Sequence, residues 1–156
     1  MKNLTIIFFT IVLFFTGCGS KNANNYFGHS SMYGNALQYT QGNQIKTLTE
    51  VKAIVNATYL NPIDVQFEDK HFHHFIIGTY IIDGYAPLYE LTLNLQRPVS
   101  TTVFDDAHPL YDQLPLYNKW AQYQIVKFKK QEDVHALALK MRHLSLGSVK
   151  LNFESN

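Results

Sequence analysis

The segment YELTLNLQ, residues 89–96, alternates apolar and polar side chains more regularly than any other part of this chain. The apolar members are Tyr89, Leu91, Leu93 and Leu95. A period of two is typical of a β-strand that buries one face and exposes the other. The segment therefore predicts a half-buried strand, and similar signals lie on both sides of it.

Two strand signals precede this segment. Val51–Tyr59 alternates in the same way except at Ile54, and Asn61-Pro62 ends it because proline cannot donate to a sheet ladder and restricts its predecessor. Residues 72–82 are apolar on both faces, which favours a central position in a sheet. Asp83-Gly84 then predicts a hairpin-type turn.

Three strand signals follow it. A short edge strand is predicted over residues 99–104 after Arg97-Pro98, another strand over residues 120–128, and a last one around residues 149–153. Residues 105–118 contain two prolines and predict the longest loop. Residues 133–146 fit a helical face and also alternate as a strand, and the β-rich surroundings favour the strand.

These signals amount to about six or seven strands with turns between them. Such spacing predicts an all-β fold, an immunoglobulin-like antiparallel β-sandwich over residues 45–156. The chain has one cysteine, so the Cys…Trp…Cys pattern of true immunoglobulin domains is absent and the prediction concerns architecture alone. A small β-barrel, or a sandwich with one C-terminal helix, is the alternative.

The N-terminus has the three-part pattern of a secretory signal. Lys2 precedes a nearly continuous apolar run over residues 4–15, which is shorter than the roughly 20 residues of a membrane-spanning helix. The run ends in Phe15-Thr16-Gly17-Cys18, which resembles the lipobox of bacterial lipoproteins, with Phe15 in place of the usual Leu. An ordinary cleaved signal or an uncleaved N-terminal anchor is the alternative.

The resemblance implies that residues 1–17 are removed and that Cys18 becomes an acylated N-terminus on a membrane. Two or three acyl chains, at about 0.8 kcal/mol per buried CH₂, would make that attachment stable. In a cell with two membranes, Gly19 at the position after the cysteine implies the outer membrane, because an aspartate there is what retains lipoproteins at the inner one.

Residues 18–44 are rich in Asn, Gln, Ser and Gly, which predicts a flexible tether between the lipid and the domain. Its aromatic residues leave open that part of it docks on the domain. The formal net charge of the chain is +1, so nothing in its electrostatics favours nucleic acid, and we expect no such partner.

Histidines form the most suggestive cluster for chemistry. On a strand, His71 and His73 would point to one face about 6–7 Å apart, close enough for two imidazoles on one metal. His74 would point the other way, so a site would need help from His108, His135 or His143. The competing interpretation is a polar strand start whose histidines lie at the solvent edge.

Two further groups are weaker candidates. Asp105, Asp106, His108 and Asp112 could offer oxygen ligands to calcium, although they lack the spacing of a calcium loop. Trp120, Tyr123, Tyr111 and Tyr117 could form an aromatic binding patch, or Trp120 could pack in the core. No G-x-S-x-G motif occurs, and an acylated Cys18 would be no nucleophile.

The sequence therefore predicts a lipid-anchored envelope protein that is not an enzyme and needs no cofactor. The expected role is binding a partner protein or supporting an envelope assembly. The first alternative is a lipoprotein that binds a metal or small ligand through His71–His74, and the second is a hydrolase with an unrecognised site.

Overall fold

A computed structural model of the chain describes residues 31–82, 88–115 and 118–155. Within these ranges the chain forms eight strands and one α-helix, and every strand pair is antiparallel. The helix is α1 (Ser31–Gln38). The strands are β1 (Thr40–Lys46), β2 (Val51–Tyr59), β3 (Phe72–Ile81), β4 (Tyr89–Leu93), β5 (Ser100–Phe104), β6 (Gln122–Lys129), β7 (Ala136–His143) and β8 (Gly147–Glu154).

The strands form two sheets that pack face to face. The larger sheet has the order β1-β2-β3-β6-β5, and the smaller has the order β4-β7-β8. Their facing sides share one apolar core, to which β2, β3, β4, β6, β7 and β8 all contribute alternate residues. The predicted all-β sandwich is confirmed.

A second apolar core covers the outer face of the larger sheet. It joins Ile76 of β3 and Tyr123 of β6 to residues of α1, of the segment after β2 and of the loop after β5. These residues are Ala36, Leu60, Ile63, Leu110, Tyr111 and Leu114. Because both faces of the sheet are covered, β3 is apolar on both sides, and its predicted central position is confirmed.

The tether predicted over residues 18–44 does not extend that far. Residues 31–38 form α1, and β1 pairs with β2 from Thr40 onward, so both belong to the folded domain. The composition of β1 does not indicate a strand, because Ile45 is its one buried side chain. Backbone pairing with β2 keeps the other residues of β1 in the sheet. Residues 18–30, Cys18 and the signal sequence lie outside the described residues.

Other boundaries follow from pairing. Residues 136–143 are strand and not helix, because β7 pairs with β4 on one side and β8 on the other while Leu137, Leu139 and Met141 face the core. Strand β6 begins at Gln122 and not at Trp120. The predicted Asp83-Gly84 turn lies outside the described residues.

The segment 89–96 contains a tight reversal that its alternation did not reveal. Leu93 and Gln96 exchange backbone hydrogen bonds of 2.9 Å, and the two residues between them have positive φ angles, 47° at Asn94 and 70° at Leu95. This is the geometry of a type I′ turn, which favours Asn followed by Gly. Strand β4 therefore ends at Leu93, and Leu95 is 90% exposed at the turn.

We predict that Leu95→Gly raises the free energy of unfolding by a few tenths to about 1 kcal/mol, because leucine is disfavoured in the left-handed region. Urea unfolding measures the change. Asn94→Gly is the matched control and should destabilise, since the Asn94 side chain hydrogen-bonds both Ala136 O (3.0 Å) and the Ala138 amide (2.8 Å). Equal or lower stability of Leu95→Gly would contradict the prediction.

Candidate functional site

The start of β3 separates the histidines that the sequence placed together. Asp69 Oδ1 accepts hydrogen bonds from the amides of His71 (2.8 Å) and Phe72 (3.1 Å), which fixes a bend before the strand. His71 therefore lies outside β3 and is exposed, while His73 is 3% exposed. The expected two-imidazole face of a strand does not form.

His73 belongs to the core between the sheets. Its Nδ1 lies 2.9 Å from the hydroxyl of Tyr59, and the two rings meet edge to face with centroids 5.6 Å apart. Burial, assisted by the charge of Lys130, lowers the pKa of His73 to about 4. Burial also raises the pKa of Tyr59, against a hydrogen bond from Ser155. Both groups are neutral near pH 7, so the pair is a packed structural contact.

His74 faces the outer side of the sheet and is 9% exposed. Its Nε2 is buried and lies 3.5 Å from Asp69 Oδ2, an ion-pair distance without hydrogen-bond geometry. Burial and the charge of Lys127 lower the pKa of His74, while Asp69 opposes them. His74 is therefore mainly neutral near pH 7, and its ion pair with Asp69 is weak.

A polar cleft of about 600 Å³ lies beside these residues. Its charged lining has both signs, and one of its walls is Tyr59. The charged residues are Asp64, Glu68, Asp69, Lys70 and Lys130. Two of the carboxylates also hold the loop together, because Asp64 accepts a hydrogen bond from the Gln66 amide as Asp69 does from His71. Such a lining suits a small polar ligand of balanced charge better than an ion.

The predicted calcium ligands also act within their loop. Asp105 Oδ1 accepts a hydrogen bond from the Ala107 amide (3.1 Å), and His108 Nδ1 accepts one from the Leu110 amide (3.2 Å). Across residues 31–82, 88–115 and 118–155, no three His, Cys, Asp or Glu side chains are grouped so that they could hold a metal ion.

The structure divides the predicted aromatic patch. Tyr111 and Tyr123 are buried in the second core, where their rings meet edge to face with centroids 5.5 Å apart. Trp120 is 69% exposed in the turn before β6, so it does not pack in the core. Its ring lies 6.4 Å from that of Tyr80, and Lys119 Nζ lies 4.9 Å from its centre. Tyr117 lies outside the described residues.

Strand β5 is the open edge of the larger sheet. It pairs with β6 on one side, and residues 100–103 are all exposed. Val103 on the strand and Val99 just before it are 68% and 61% exposed. The sequence predicted a short edge strand here, but it gave no sign that both faces would remain uncovered.

At the other edge of the larger sheet, side-chain hydrogen bonds join β1 to β8 of the smaller sheet. Asn43 of β1 donates to Lys150 O of β8 (3.3 Å), and the Asn152 amide of β8 donates to Gln41 Oε1 of β1 (3.0 Å). On the β5 side, the two sheets are linked by a hydrogen bond from the Gln124 amide group to the Tyr89 hydroxyl, beside a small cleft of about 290 Å³ that reaches Thr101. Residues 41–44 of β1 are exposed as well, but side-chain hydrogen bonds join that edge to β8, so β5 is the candidate binding edge of the larger sheet.

None of the helices in the described part of the chain has the length and apolar character that crossing a bilayer requires. Comparison of the chain with protein-family models, curated proteins and solved structures gave no match.

We predict that the burial of neutral His73 makes stability depend on pH. The unfolded histidine takes up a proton near pH 6.5 and the folded one only near pH 4, so stability is complete above pH 6.5 and is lost as the pH falls toward 4. The loss should reach up to about 3 kcal/mol, with His74 adding to it in the same direction.

Urea unfolding of His73→Asn between pH 7.5 and 4.5 checks this. Asparagine retains an acceptor for the Tyr59 hydroxyl and does not titrate, so the variant should show a shallower pH dependence whatever its stability at pH 7.5. A pH profile parallel to that of the original protein would refute the role of His73.

Proposed function

We propose that this chain is a lipid-anchored envelope protein whose β-sandwich binds another protein through the edge of β5, without catalysis. The observation that carries the proposal is the open edge of β5, five residues long and exposed at residues 100–103. Exposed edges offer unpaired backbone N–H and C=O groups that a second strand can meet.

The composition of β5 supports this use of its edge. Folded proteins usually protect such edges with lysine, proline or a bulge. Ser100–Phe104 contains no lysine or proline, and its five residues pair with β6 in unbroken register. Its uncharged hydroxyl and valine side chains suit a partner strand that pairs beside β5 and places its own side chains next to them.

The surroundings of the two buried histidines His73 and His143 support a structural role for them over a catalytic one. His73 is held by Tyr59, and His143 Nδ1 accepts hydrogen bonds from the amides of Ser145 and Leu146 (both 3.2 Å). General acid or base catalysis needs an accessible group whose pKa lies near the working pH. Burial moves the pKa of His73 away from that range.

The membrane attachment rests on the resemblance of Phe15-Thr16-Gly17-Cys18 to a lipobox. We predict that Cys18→Ser abolishes incorporation of a fatty-acid label and moves the protein from the membrane fraction to the soluble fraction of the envelope. The reason is that the thiol is the acyl acceptor. Ser20→Ala, which leaves Cys18 in place, is the matched control. A Cys18→Ser protein that stays equally membrane-bound would overturn the anchor.

For the binding edge, we predict that Val103→Lys lowers the amount of protein captured by the full-length chain from cross-linked, detergent-solubilised envelopes by at least about tenfold, or about 1.4 kcal/mol. A lysine on an edge strand opposes the approach of a second strand. Because Val103 is already exposed, the fold should be unaffected, and circular dichroism checks this.

Two other exposed positions serve as controls. Leu48 is fully exposed in the β1–β2 turn, and Val65 is 82% exposed at the polar cleft. Leu48→Lys and Val65→Lys should leave capture unchanged. Equal capture by Val103→Lys would refute β5 as the binding edge, and a loss caused by Val65→Lys instead would favour binding at the cleft.

A further inference from the structure

We infer that the occupant of the β5 edge is the β5 strand of a second copy of this chain, paired antiparallel about a two-fold axis. The inference rests on the proposed function, in that it names the partner of the same edge. It would join two five-stranded sheets into one continuous sheet with β1 at each outer end.

The charges around β5 are self-complementary. Arg97 precedes the strand, is exposed and lies 3.5 Å from Glu90 Oε1, and exposed Lys127 is the Cα partner of Ser100 at the same end. With two basic groups and one acidic group, this end has a net positive charge. Asp105 and Asp106, both exposed, follow the other end. An antiparallel copy brings the basic end of each strand beside the acidic end of the other, twice. A parallel copy would bring like charges together, which disfavours it.

The side chains of β5 also fit their own reversed sequence. A two-fold axis at the middle residue places Thr102 opposite Thr102 of the second copy, and Thr101 opposite Val103 of the second copy. Threonine–threonine and β-branched pairs on one face are favourable cross-strand neighbours. No charge of β5 itself faces a like charge in this register.

Pairing through β5 extends the larger sheet in its own plane. Helix α1, where the described part of the chain begins, packs on the outer face of that sheet through Ala36, in a cluster that contains no residue of β5. Attachment of both copies to one membrane would raise their effective concentration and offset the small area of a five-residue contact.

The test is disulfide cross-linking of the full-length Thr102→Cys protein in its host membrane with copper–phenanthroline. Directly opposed residues of an antiparallel pair have Cα atoms about 4.5–5.5 Å apart, within the range that a disulfide spans. We expect a band of twice the monomer mass that disappears on reduction. Mixing Thr101→Cys with Val103→Cys chains should give the same band more strongly than either chain alone.

The unchanged chain, whose one cysteine is Cys18, and Leu48→Cys are the controls, and neither should form the doubled band. A band in Leu48→Cys as strong as in Thr102→Cys would overturn the inference, as would attachment of Thr102→Cys to a different protein. If Thr102→Cys forms no homodimer while Val103→Lys still abolishes capture, the second copy is wrong and the binding edge stands. If Val103→Lys also has no effect, both proposals fall.

Charge exchange gives an independent readout of the two-fold register. Arg97→Asp alone and Asp106→Arg alone should each reduce the Thr102→Cys dimer band, because each places like charges at both ends of the pair. The double variant restores opposite charges and should restore the band. No recovery in the double variant would overturn the antiparallel register.

Discussion

The burial of the central strand β3 on both faces is the constraint on which the rest of the structure depends. Phe75 and Ile77 are fully enclosed between the two sheets, and Ile76 is enclosed under the outer layer. At about 25 cal/mol per Å² of buried apolar surface, a strand covered on both sides contributes far more than a strand covered on one. With a single cysteine, the described domain depends on such burial for its stability.

The same constraint decides where function can reside. Interior strands have their backbone groups paired and their side chains packed, so both histidines at the start of β3 are buried. His73 contacts the hydroxyl of Tyr59, and His74 lies beside Asp69. The polar cleft and the edges of the sheets remain accessible, and the proposed binding uses an edge. Side-chain bonds tie β1 to β8 on one side, whereas β5 ends the sheet in the open.

The sequence anticipated more of the fold than of the candidate site. Alternation indicated β2, β4 and β8, and it favoured a strand over a helix at β7, because these elements bury alternate side chains. A run that is apolar on both faces indicated β3, which is buried on both sides. Alternation missed β1, where one residue is buried and pairing with β2 does the rest. It grouped His71 with His73 because strand periodicity cannot show that Asp69 bends the chain between them. It also grouped Trp120 with Tyr123, although Trp120 is exposed and Tyr123 is buried.

By itself, the sequence determined the β-sandwich architecture, the central place of β3 and the edge character of β5, since these depend on alternation, on runs that are apolar on both faces and on proline, all of which are local features of a sequence. It also carries the lipobox resemblance, which is a matter of local residue identity. Only the tertiary structure decided strand order, the second core beneath α1 and the loop after β5, the Tyr59–His73 contact, and which edge is left open. The physical reason is that each of these joins residues far apart in the chain, whose pairing depends on which apolar surfaces meet when the whole domain packs.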